Sequence, residues 1–319
     1  MSPRRRRTEE FTSYYGRPVL KEPTWEALDI AGYIFAGGLA GASSILAAGA
    51  QHTGRHRLER AAKLTALTAI SASVVALVHD LGRPERFVNM LRVAKPTSPM
   101  SVGSWILSVY GPLAGASAAA NVLGIFPRAG KAAGIGAGIT GSAVATYTAV
   151  LVSDTAVPAW HDAHDVMPFV FAGSAAASAG GVAAALAPLA EGGPARRMAI
   201  AGAAVETAMS LTMERSGKLS AETFHQGRAG TLLRLSKGFT VGGAVGLALG
   251  GRSSRLVSTL SGLSVAAGSA LLRFGVFEAG RASTRDPKYV VVPQRERLEQ
   301  QGRGASDRQG AAAGADSMG

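Results

Sequence analysis

The sequence predicts an all-α integral membrane fold: an eight-helix transmembrane bundle, arranged as two four-helix-like halves and packed through Gly and Ala. Three observations predict it. Of 319 residues 47% are hydrophobic, but only 6% are aromatic and 17% charged, against a usual quarter charged. The charges gather in short segments separated by long runs of Gly, Ala, Leu, Val, Ser and Thr. Those runs show no polar face every 3.6 residues, as a surface helix of a soluble protein would. The mean hydropathy of +0.18 understates the pattern, because polar tails dilute it and Gly and Ala score weakly. Strands are excluded, since open sheet edges cannot sit in lipid and the alternation of a barrel is missing.

About 20 mostly apolar residues cross the hydrocarbon core. Eight runs qualify: Ile30–Ala50, Ala61–His79, Val102–Gly124, Ala132–Ser153, Pro168–Ala190, Arg197–Met213, Leu232–Gly250 and Ser254–Leu272. Lipid tails are as apolar as Leu, so these helices associate by close packing, which small residues permit. The first run has Gly37 and Gly41 for that purpose and the third has Gly111 and Gly115. The seventh has Gly238, Gly242, Gly246 and Gly250 at every fourth position, an expected contact ridge. None of these glycines resembles a nucleotide loop, because none follows a strand or precedes a Lys-Ser/Thr pair. The chain therefore divides into a basic segment 1–29, the bundle 30–272, a flank 273–293 and a tail 294–319. The composition of that tail, rich in Gly, Ala, Gln and charge, predicts disorder.

The net charge of +12 (33 Lys and Arg against 21 Asp and Glu) could suggest nucleic acid. Here the basic residues flank apolar runs instead, so the lipid bilayer is the expected partner and nucleic acid is not. Eight spans place both termini on one side. Lys and Arg near span ends number thirteen on that side and nine on the other, a modest bias that points it to the cytoplasm. Arg4–Arg7 reads as a retained basic tail, not an export signal, because no short apolar region with a small-residue cleavage site follows. The chain has no Cys, which excludes a disulfide framework, a thiolate nucleophile and Cys-ligated zinc or iron–sulfur clusters within it.

An ionisable residue inside a span is a functional candidate by default. Glu206, mid-way along the sixth run, is the clearest; the alternative is a carboxyl that fixes packing through hydrogen bonds. His52, His56, His79, His161, His164 and His225 all fall at span ends or in loops. A transmembrane haem site needs paired His ligands inside the bundle, so no haem is expected. His79, Asp80, Asp154, His161, Asp162, His164, Asp165 and His225 share the side of the termini, and the loop Asp154–Met167 has no Lys or Arg. Such a gathering of proton-exchanging groups suits a lipid-soluble carrier such as a quinone, which takes up two electrons and two protons near the interface. Ordinary solvated loop residues are the alternative reading.

Several segments in order along the chain resemble the NrfD, or polysulfide reductase membrane subunit, family. Tyr33-Ile-Phe-Ala-Gly-Gly-Leu-Ala-Gly-Ala42 is similar to its first-helix motif, and His79-Asp-Leu-Gly-Arg-Pro-Glu-Arg-Phe87 to the loop after its second helix. Lys95-Pro-Thr-Ser-Pro-Met-Ser-Val-Gly-Ser-Trp105 resembles the entry into the third. Tyr147-Thr-Ala-Val-Leu151 and Thr155-Ala-Val-Pro-Ala-Trp160 are similar to the fourth helix and its following loop. Phe274-Gly-Val-Phe-Glu-Ala-Gly-Arg281 and Asp286-Pro-Lys-Tyr289 resemble the C-terminal flank.

The resemblance implies a multi-pass subunit of the bacterial cytoplasmic membrane that exchanges electrons between the quinone pool and an iron–sulfur partner. That four-cluster, ferredoxin-like partner would connect it to a molybdopterin catalytic subunit, as in anaerobic respiration. Quinone or quinol would be the exchangeable ligand, with no metal and no catalytic group of the chain's own. By motif position Asp80 would be the acid and Tyr147 the hydroxyl that bonds a quinone carbonyl. His79 follows by adjacency, and His161 is a further candidate. The first-helix His or Asn of some members is not evident, and Glu26 and Asp29 stand near that place. Arg83 and Arg86 lie in the loop expected to face the partner, where Pro84 would start a short interfacial helix over Glu85–Leu91. Two rivals remain open at this point: a secondary transporter or proton channel using Glu206 and Asp80, and a passive anchor.

Overall fold

A computed structural model describes residues 19–299, apart from Thr24, Pro84 and the side chain of Phe87. Arg4–Arg7, Pro84 as a helix start and the tail beyond 299 lie outside the described residues. The elements are α1 (Ala27–His52), α2 (His56–Asp80), α3 (Glu85–Met90), α4 (Pro99–Leu123), α5 (Pro127–Ser153), α6 (Pro158–Asp162), α7 (Met167–Leu186), α8 (Gly193–Glu214), α9 (Gly227–Leu249) and α10 (Arg255–Arg285), with a 3-10 turn at Leu219–Phe224. Helices α4 to α8 each start with Pro in the first two positions, where its missing N–H breaks no hydrogen bond. The Ser98 and Ser254 side chains cap α4 and α10.

Among the described residues, seven of the long helices are apolar enough to cross a membrane, not the expected eight. The exception is α8, where Arg196, Arg197, Glu206 and Glu214 lower the hydropathy. It still packs antiparallel along α7: Gly180 meets Ala195 and Ala199, Gly202 meets Ala177, and Gly173 meets Glu206. The helices group as expected into halves, α1, α2, α4 and α5 in one and α7, α8, α9 and α10 in the other, with α1 packed on both α7 and α10.

Backbone contact between helices occurs where glycines face each other. Gly41 of α1 lies against Gly141 of α5, and Gly181 of α7 against Gly262 of α10, with no room for a Cβ at any of the four. The ridge expected on α9 is different. Gly238 and Gly242 face open space, while Gly243, Gly246 and Gly250 meet Ser261, Val265 and Val257 of α10. A strict four-residue step drifts around a 3.6-residue helix, so one straight neighbour cannot follow it. Gly111 and Gly115 also face open space, on α4 at the edge of the bundle. The flank expected from 273 is largely a continuation of α10, and residues 288–299 are helical, so helix extends past the predicted tail boundary at 294.

Candidate functional site

At the end of the bundle where α1 and α4 begin and α2 and α5 finish, a cleft of about 100 Å³ opens between these four helices. Its lining is largely apolar, with Ile30, Ile34, Leu77, Leu107 and Val152 among the contributors. Tyr33 from α1, Tyr147 from α5 and Asp80 from the last turn of α2 supply polar groups.

The Gly41–Gly141 contact holds α1 and α5 close, and toward the cleft end the two tyrosine hydroxyls hydrogen-bond to each other. Gly103 of α4 completes the arrangement: the Tyr147 ring lies against it, where any Cβ would overlap the ring. Ser73 of α2 donates to the Tyr33 carbonyl oxygen at 3.1 Å. Both tyrosines are buried. In such a pair one hydroxyl donates to the other, and the acceptor's own proton is left for a ligand. Asp80 is half-buried and faces the Glu26 backbone.

Trp25, just before α1, closes one side of the cleft. It stacks on Trp160 at 6.1 Å between centroids, and Trp160 donates from Nε1 to the Val276 carbonyl at 2.8 Å. Gly280 leaves space for that indole. The segment before Trp25 is tethered by Glu22, which accepts from Arg281 Nε and Arg285 Nη2, each at 2.8 Å. Hydrogen bonding to Arg285 is the main cause that holds the Glu22 carboxyl below the ordinary carboxylate range.

Tyr147 also lines a second, wider cavity of about 520 Å³ with Pro96, Thr97, Asp154, His161 and His164. The two imidazoles stack at 5.7 Å, and His164 Nε2 lies 3.0 Å from Asp165. His161 further lines a third cavity of about 260 Å³ beside Tyr289.

The sequence-expected residues are thus divided. Asp80 and Tyr147 share the cleft. His79 does not line it: its ring is largely exposed and its Nδ1 lies 2.7 Å from Asp29, a pair beside the entrance. Glu26 is exposed and contributes backbone. His161 stands in the neighbouring cavities, separated from the cleft by Tyr147. Arg83 is exposed, and Arg86 donates to the Leu81 carbonyl at 2.9 Å, closing the turn before α3. Tyr33 and Trp25 were not singled out in the sequence; Tyr33 heads the quoted first-helix stretch, and that position was the available signal.

Glu206 does not line the cleft and belongs to the second half. It is buried and its two carboxyl oxygens accept from Thr240 Oγ1 at 2.9 Å and Ser269 Oγ at 2.7 Å. Arg273 of α10, also buried, donates to the Phe171 carbonyl at 2.9 Å and sits 3.6 Å above that residue's ring.

Residues 20–221 match the family model described as Polysulphide reductase, NrfD. The chain belongs to the NrfD family. The match includes every cleft residue named above and ends before α9 and α10. As an NrfD protein it is a multi-pass membrane subunit of a redox complex. A comparison with curated proteins finds no match.

Proposed function

We propose that this NrfD protein is the quinone- or quinol-reactive membrane anchor of a molybdopterin oxidoreductase complex. It passes electrons between the quinone pool and an iron–sulfur partner subunit of the bacterial cytoplasmic membrane, with both termini in the cytoplasm. The observation that carries this reading is the meeting of Asp80, Tyr33 and Tyr147 in one apolar cleft, from helices far apart in sequence. The apolar walls suit a ring that arrives from lipid. The tyrosine pair offers one proton toward a carbonyl oxygen, and Asp80 can accept or return a proton at the edge of the membrane. Reduction of a quinone to its quinol takes two electrons, supplied through the partner's clusters, and two protons, which these side chains would relay; oxidation runs the same balance in reverse. Arg83 and Arg86, beside the entrance, are proposed to meet the partner.

Two variants of the assembled complex test the reading. Asp80→Asn and Tyr147→Phe each leave shape nearly unchanged and remove one proton-exchanging group. Each is expected to lower quinone-coupled turnover by about 10²-fold or more, while subunits still copurify and an artificial dye still reduces the partner. Unchanged turnover in both would favour a passive anchor and end the proposal.

A further inference from the structure

The end of the bundle opposite the cleft is where α7 and α9 finish and α8 and α10 begin. Four arginines stand there. Arg255 is committed to the end of α7, donating to the carbonyls of Ala185, at 2.5 Å, and Ala187. The other three lack a counter-charge: among the described residues, no ion pair involves Arg196, Arg197 or Arg252. Arg196 is half-buried between Gly192 and Gly251, where an added Cβ would come within 3.0 Å of its Nη1 and 3.1 Å of its Cδ. Its hydrogen bond to the Leu189 carbonyl is long, at 3.4 Å. Arg197 is its neighbour in the chain and Arg252 directly follows Gly251, on which Arg196 packs, so three like charges lie together. Glu191, the acid of the same loop, is turned away and accepts from the backbone of Arg57 at 2.9 Å and Leu58 at 3.0 Å.

Like charges held together without a counter-charge are costly, and an anion from outside the chain relieves the cost. Two further features say what kind of anion. The start of α8 has no side-chain cap at Gly192, and Arg196 and Arg197 stand at that same positive end of the helix dipole. Leu186, Leu249 and Leu256, at the adjoining helix ends, are exposed apolar side chains. Phosphate-binding groups next to apolar surface, at the end of membrane-crossing helices, match a molecule with a charged head and acyl tails.

We propose that Arg196, Arg197 and Arg252 bind the phosphate headgroup of an anionic phospholipid, with its acyl chains against Leu186, Leu249 and Leu256. A guanidinium fork matches phosphate oxygens, and a net negative headgroup balances the cluster where a zwitterionic one does not. The site is independent of the cleft.

The full chain, in nanodiscs of phosphatidylcholine with or without phosphatidylglycerol, tests it. Phosphatidylglycerol is expected to raise the thermal midpoint and to remain bound after detergent extraction, read by mass spectrometry. Replacing the two exposed arginines, Arg197→Gln with Arg252→Gln, spares the half-buried Arg196 and is expected to weaken retention roughly twentyfold. Arg128→Gln, an exposed basic residue elsewhere on this face, is expected to leave retention unchanged. Equal midpoints in both lipids, equal loss with Arg128→Gln, or the same gain from inorganic phosphate alone would each overturn the proposal.

Discussion

Two sets of polar groups, one in each half of the bundle, meet different surroundings. In the first half, Tyr33, Tyr147 and Asp80 border an open cleft, and the tyrosine pair keeps a proton to offer. In the second, both oxygens of Glu206 are already taken by Thr240 and Ser269. A polar group whose bonding capacity is met by its neighbours stabilises packing; one left partly unmet beside a cavity can serve a ligand. The far end of the first half makes the same point. Glu59 and Lys63 are buried there, but they pair at 2.7 Å, Glu59 accepts from Asn121 and Lys63 donates to the Gln51 side-chain oxygen. Burial of a charge within the bundle therefore does not by itself point to a ligand site. Access does.

The largest expected difference comes from isosteric changes made in each half. Glu206→Gln keeps an acceptor and a donor for two hydroxyls that can rotate, so quinone-coupled turnover should stay within about twofold of wild type. This contrasts with the loss of about 10²-fold expected for Tyr147→Phe. A large loss with Glu206→Gln would reverse the comparison and bring back a relay through the second half.

Glu206→Leu should act on stability instead. It strips Thr240 and Ser269 of their shared acceptor, at a cost of about 1–2 kcal/mol, read as a lower thermal midpoint in detergent with little change in the quinone affinity of the folded fraction. An unchanged midpoint would mean that the carboxyl does not tie α8 to α9 and α10.

Much of this arrangement was legible in the sequence, for physical reasons that differ by element. Apolar length and the segregation of charge announced the membrane helices, since the bilayer imposes both. The same criteria fail for α8: Glu206 and Glu214 are accommodated only because Thr240 and Lys237 of α9 and Ser269 of α10 meet them, which is tertiary information. Asp80 could be found because its stretch resembles the family's loop after the second helix and because it stands among proton-exchanging groups on one face. Tyr33 could not, because one aromatic in an apolar helix has the same local pattern whether it packs or binds. Only the Gly41–Gly141 crossing, which sets α1 against α5, distinguishes the cases. His79 shows the converse. It is adjacent to Asp80 in sequence, but a helix turns neighbours about 100° apart, and its ring goes to Asp29 outside the cleft.

A smaller effect is expected from Gly103→Ala, which alters no chemical group of the cleft. The new methyl would overlap the Tyr147 ring, so the ring must tilt and its bond to Tyr33 must stretch or break. Turnover should fall roughly tenfold through misplacement of the hydroxyl, with the thermal midpoint changed less than by Glu206→Leu. Gly111→Ala, on the open side of the same helix, should leave both unchanged. If the two substitutions behave alike, close contact with α4 does not position Tyr147.

The smallest effect concerns the tether that holds Trp25 beside the cleft. Glu22 has its carboxyl pKa lowered, chiefly by the hydrogen bond from Arg285, so the folded state favours the ionised form. The resulting stabilisation is present in full above the ordinary carboxylate range, near pH 4.5, and is lost as the pH falls through the depressed value. Glu22 is about one-third exposed, with its side chain at 34%, so water and salt screen the pair and its worth is at most about 1 kcal/mol. Glu22→Gln should therefore lower the thermal midpoint slightly at pH 7, and the gap to wild type should narrow as the pH falls below 4.5 and through the depressed value. Tryptophan fluorescence follows the same tether more directly. Releasing the segment before α1 should expose Trp25 to quencher while Trp160, pinned by Val276 and Gly280, stays protected. A gap that persists at low pH would mean that Glu22 acts through packing and not through its charge, leaving the stacked indoles to hold that side of the cleft on their own.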